Sequence, residues 1–144
     1  MKENIDRSVW INYFHEFTRR NQWRPTCLEV FGELSAQEQE HGLPFAGISL
    51  ERGNGRPAVE IMFGGPNGGA PRHLTHVIEN VREITPKRDL NGRDEALEIV
   101  GGQGEKNLLT FEPADVRNGQ QEWSWCKSPF EFLSTINLPP PHVS

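Results

Sequence analysis

The chain has 144 residues, enough for one domain burying roughly 68–70% of its unfolded surface, and its 35% hydrophobic and 24% charged residues are those of a globular protein. A formal net charge of −5 works against a general nucleic-acid surface, which needs Lys and Arg to displace phosphate counterions. No apolar run approaches the ~18 residues of a membrane span, and the N-terminal MKENIDRSVW lacks the apolar centre of a signal peptide, so the expectation is a cytoplasmic protein with no membrane contact.

In chain order, Asp6 or Ser8 is placed to cap a helix whose Trp10, Tyr13, Phe14 and Phe17 follow the i, i+3, i+4, i+7 spacing of one face. Arg19 and Arg20 suit its negative C-terminal end, and Pro25 stops it. PTCLEVFGEL reads as a strand. SAQEQEHG then predicts a short second helix, because Ser35 and Glu38 have capping-box spacing and Gly42 can end the turn. FAGISLERG and PAVEIMFGG alternate at period two and predict a strand pair turning through GNGRP, residues 53 to 57.

After the glycine-rich GGPNGGAP, residues 64 to 71, the stretch RHLTHVIENVREI predicts one long strand, bent or bulged. DEALEIVGGQGEKNLLTFEP predicts a hairpin carrying Leu97, Ile99, Leu108 and Phe111. The expected fold is mainly β (α+β): an N-terminal helix with a small antiparallel β-barrel or strongly bent sheet of about 5–7 strands, a shape that manages the edges of short strands. Residues 1–113 form the expected domain. Residues 114–144 read as an aromatic and Pro-rich C-terminal extension with five charged residues.

The pieces WINYFHEFTRRNQ, TCLEVFG, GLPFAGISLE, LTHVIENVREI and DEALEIVGGQGEKNLLTFEP, within residues 8 to 113, resemble an uncharacterised bacterial family, domain of unknown function 5335. The resemblance implies a compact domain of about 110 residues. It brings no activity and no catalytic residues, and the extension lies beyond the shared pattern.

Candidate chemistry is sparse. His73 and His76 are three apart, which on a strand sends them to opposite faces, and His15, His41 and His142 offer no third ligand at a supporting spacing, so no metal is expected. GGPNGGAP lacks the Lys-Ser or Lys-Thr and the helix of a phosphate loop. Ser49, Ser124, Ser128 and Cys126 sit in no nucleophile motif. Glu60 and Glu98 alternate with apolar neighbours, as solvent-facing positions do, and Glu95 joins them as a strand carboxylate. Cys27 and Cys126 are far apart and are expected as free thiols. No catalytic residue, metal or cofactor is therefore assigned.

The extension is different. Trp123, Trp125, Phe130, Phe132 and Leu133, with Ile136 and Leu138, are too much apolar surface to leave in water. They are read as partner-binding residues, docking in cis as added strands or in trans on another subunit or protein. The expected function is a noncatalytic protein-binding or adaptor module acting through a sheet edge and the extension, with a protein partner or self-association. One alternative is a nucleic-acid-binding small barrel using Arg19, Arg20 and Arg24 or Arg82, Lys87, Arg88 and Arg93. The other is a small-molecule enzyme with a pocket between helix and barrel, using Glu95, His76 or His73.

Overall fold

A computed structural model of the chain describes residues 4–32, 36–53, 55–65 and 73–113. The Asp6 carboxylate accepts a hydrogen bond from the backbone N–H of Ser8 at 3.1 Å, opening a 3-10 turn that leads into helix α1, Trp10–Asn21. The predicted stripe is the buried face: Trp10, Phe14 and Phe17 are buried and Tyr13 is packed against them. The Trp10 indole N–H donates to the Ile5 carbonyl at 2.9 Å, so the large side chain enters the core with its one polar atom satisfied.

Among the described residues, seven antiparallel strands follow: β1 Pro25–Phe31, β2 Ala36–Gly53, β3 Arg56–Phe63, β4 Leu74–Ile78, β5 Glu83–Arg88, β6 Asp94–Val100 and β7 Lys106–Phe111. They form one sheet in the order β4-β3-β2-β1-β7-β6-β5. The sheet is strongly bent rather than closed, so the bent-sheet form of the expected fold is the one adopted.

Two local expectations are corrected. SAQEQEHG is not a helix: from Ala36 it is the first part of the 18-residue β2, paired with β1 from Phe31↔Ala36 to Pro25↔Pro44 with two register shifts. A cap signal fixes only a few residues' preference, whereas β1 lies in mid-sheet and its backbone needs a partner on each side. RHLTHVIENVREI is not one bent strand either. It breaks at residues 79–82, where Asn80 takes φ 54°, and its halves β4 and β5 lie at opposite edges of the sheet. Asn tolerates that left-handed conformation better than other non-glycine residues.

The bend wraps the sheet around α1. Phe17, Phe45 and Phe111 meet with ring centroids 5.5–5.7 Å apart, two of the contacts edge-on, and Leu28, Ile61, Ile84, Leu97, Ile99 and Leu109 belong to the same cluster. Each such side chain contributes roughly 1.5–3 kcal/mol by leaving water. The sheet's distant strands also touch: His76 on β4 reaches Asn107 on β7 at 2.8 Å.

Cys27 is disulfide-bonded, which corrects the expectation of a free thiol at that position. Spacing along the chain could not show this, because a disulfide is decided by proximity in space.

Candidate binding surface

The outer side of β2, β3 and β4 is built by simple alternation. Val59, Ile61 and Phe63 turn into the core, so Glu60 between them turns outward, opposite Ser49 on β2 and Val77 on β4. The outward residues frame an open groove of about 680 Å³ in which Glu51, Glu60 and Glu79 stand with Arg52 and Arg56 around Val77. A second hollow of about 390 Å³ continues it over Arg56, Val77, Glu79 and Asn80 to Gln103 and Glu105. Val77 is 48% exposed, an apolar side chain amid charge. Four carboxylates against two guanidiniums leave this surface with an excess of negative charge.

Strand β4 borders this groove and is, among the described residues, at one end of the sheet order. Among the described residues it pairs with β3 on one side and with no strand on the other. The opposite edge differs: the Ile5 N–H donates to the Ile84 carbonyl at 2.8 Å and the Thr85 hydroxyl donates to Asn4 Oδ1 at 2.6 Å, so the N-terminal residues cover part of β5.

The end of the sheet beside the C-terminus of α1 holds a polar cluster centred on buried Asp94. Arg20 Nε donates to Asp94 Oδ2 at 2.8 Å, and Asn21 Nδ2 donates to the same oxygen at 2.8 Å. Burial alone would push the Asp94 carboxyl up, but the hydrogen bonds from Arg20 and Asn21 and the charges of Arg20 and Arg88 outweigh it and hold it below the ordinary Asp range. Arg24 lies over the Phe111 ring, 4.5 Å from its centroid, and donates to Asn21 Oδ1 and to the carbonyls of Asp94 and Glu112. Burial draws its pKa down.

Tyr13 sits beside this cluster with its hydroxyl buried and without a hydrogen-bond partner among the described residues. Burial and the Asp94 charge push its pKa up to about 12, against the opposing charges of Arg88 and of Arg20, which lies over the ring at 5.9 Å from its centroid.

These contacts place the predicted residues. Arg19 pairs with Glu16 and Arg20 with Asp94, while Arg24 is tied to three oxygens and Arg82 donates to the Gly102 carbonyl at 2.6 Å. Much of the basic side chain offered for nucleic acid is thus engaged within the fold. His73 lies beside Gly64, where φ is 149° and an added Cβ would run into the imidazole, while His76 is turned to Asn107. Glu95 lines a hollow of about 320 Å³ with Arg24, Leu90, Asp94 and Phe111, and neither histidine joins it there. Glu98 faces Lys106 at 3.9 Å. Trp123, Trp125, Phe130, Phe132 and Leu133 lie outside the described residues.

One exposed residue escaped the sequence reading. Trp23 is 41% exposed and takes φ 75°, a conformation that bulky side chains rarely adopt. Its backbone N–H donates to the Phe45 carbonyl at 2.6 Å, which fixes the turn from α1 into β1. No pattern signals a left-handed Trp, since that site normally selects Gly or Asn.

No helix among the described residues is long and apolar enough to cross a membrane. No curated protein and no solved structure matches the chain. The model of a family of unknown function, DUF5335, matches residues 1–118. That span takes in α1 and all seven strands, and the chain belongs to this family.

Proposed function

We propose that the protein is a noncatalytic protein-binding or adaptor module, with its contacts made through the β4 edge and the C-terminal extension. The carrying observation is the pairing of a strand edge open among the described residues with a charged groove around Val77. An extended peptide that adds a strand to β4 gains main-chain hydrogen bonds, and alternate side chains of that peptide reach the groove. The carboxylates there favour basic side chains on the partner.

The aromatic residues Trp123, Trp125, Phe130, Phe132 and Leu133 remain part of this proposal, as does the division of the chain at residues 113 and 114. We also assign the protein to a bacterial cytoplasm; the disulfide at Cys27 makes an oxidising compartment the competing assignment, to be decided by fractionating host cells. The nucleic-acid alternative loses support from the arginines already engaged, and the enzyme alternative from the separation of Glu95 from both histidines.

The test is affinity capture from host lysate with the full chain and with the full-chain variant Val77→Lys, which places a fixed charge on the edge strand. A protein retained by the natural chain and lost by the variant is the expected result. Identical catches from the two baits would defeat the assignment to β4.

A further inference from the structure

The face of β1, β7 and β6 turned away from α1 is covered where it should be wet. Leu109 and Phe111 lie in the core, and Asn107 reaches His76 across the interior. Directly paired residues share a face, so Val30, Leu28 and Thr26 point inward with them. By alternation Cys27, Glu29 and Phe31 point outward, together with Thr110 and Leu108 and their β6 partners Ala96 and Glu98.

Outward residues of a bent sheet are normally exposed, yet Cys27 is 1%, Glu29 3% and Ala96 6% exposed. Phe31, Leu108 and Thr110 around them are half-buried. Neither Cys27 nor Ala96 belongs to the core cluster around α1. Something other than the core therefore shields this face.

Two observations identify it. Cys27 is disulfide-bonded, and the sequence contains two cysteines, the other being Cys126. The chain also leaves β7 beside β1: the Glu112 N–H donates to the Pro25 carbonyl at 3.0 Å, two residues from Cys27. The stretch between Pro113 and Cys126 can reach about 3.3 Å per residue, far more than a return to Cys27 requires. Residues 114–144 also carry the apolar side chains that such a face would accept.

We infer that residues 114–144 of the same chain lie over the outer face of β1, β7 and β6, fastened by a disulfide between Cys27 and Cys126. This goes beyond the proposed function by giving the extension a place in cis. A partner would then meet the side of the extension turned away from the sheet, and the β4 edge would be unaffected, so the capture test above can fail or succeed independently.

The experiment uses the full chain purified without reductant, alkylated, digested with trypsin and mapped by mass spectrometry. Peptides 21–52 and 118–127, which hold Cys27 and Cys126, are expected as one linked species from a protein running as a monomer on a non-reducing gel. Two separately alkylated peptides, or a dimer joined through two copies of either peptide, would overturn the inference. The full-chain variant Cys126→Ser tests the cover itself: its Cys27 thiol should react with a maleimide at least tenfold more slowly in the native protein than in urea. Equal rates would overturn the cover.

Discussion

His76 on β4 and Asn107 on β7 meet at 2.8 Å although they stand four steps apart in the order of the sheet. Asn107 Nδ2 donates to the Ile99 carbonyl at 3.2 Å, which leaves its Oδ1 as acceptor and assigns the proton to His76 Nε2. One buried amide thus couples β4 to the β6–β7 hairpin. Asn107→Leu keeps the volume and removes both bonds, leaving the His76 donor unmatched. We expect a loss of about 1–3 kcal/mol in urea unfolding, and an unchanged midpoint would show the pair to be incidental.

Tyr13 predicts the opposite sign. Its buried hydroxyl has no partner among the described residues, so Tyr13→Phe removes a desolvation cost without removing a bond. The variant should be more stable by about 1 kcal/mol. Because folding raises this pKa from the ordinary Tyr value to about 12, the natural protein should also lose stability as pH rises from about 10 to 12, and the variant should lose less.

Asp94 governs the acid limb. Its pKa is lowered on folding, so its contribution is present above the unfolded Asp value of about 3.9 and is lost as pH falls through the folded value. Asp94→Asn keeps the shape and removes the charge that Arg20 and Asn21 grip. The expected cost at neutral pH is about 1.5 kcal/mol, near the lower end for charge-assisted bonds because Arg20 is partly exposed. A melting series from pH 7 to pH 3 should show a smaller fall for the variant than for the natural chain.

Reduction supplies a fourth expectation. A Cys27–Cys126 link closes a loop of about 100 residues, which chain entropy values at up to about 4.7 kcal/mol. Dithiothreitol gives two electrons and two protons to the bond, and the melting temperature should drop clearly. A drop absent in Cys126→Ser would tie the effect to this bond.

The legible parts of the fold were those set by neighbours in sequence. Trp10, Phe14 and Phe17 announced α1 by period, and the turns at residues 53–57 and 101–105 announced their hairpins through glycine. Ser35 and Glu38 misled because a cap motif says nothing of the strand waiting beside it. The break at Asn80 was hidden because β4 and β5 keep one strand-like composition across it, and only the opposite destinations of the two halves reveal it. For the candidate surface, Glu60 was correctly read as outward. The groove around Val77 needed residues from separate hairpins, and no spacing within one segment encodes that meeting.

The strand order has a consequence for how the molecule forms. Among the described residues, five of its six pairings join consecutive strands, and the sixth, β1 with β7, joins Thr26 to Phe111. Two meanders, β1 to β4 and β5 to β7, can each assemble from local contacts, but the sheet exists only once that distant pair has zipped. Loop closure before contact makes such a step slow. Truncations at Leu28 or Leu109, inside the zipper, should therefore slow refolding, whereas truncations on β4 should chiefly hasten unfolding.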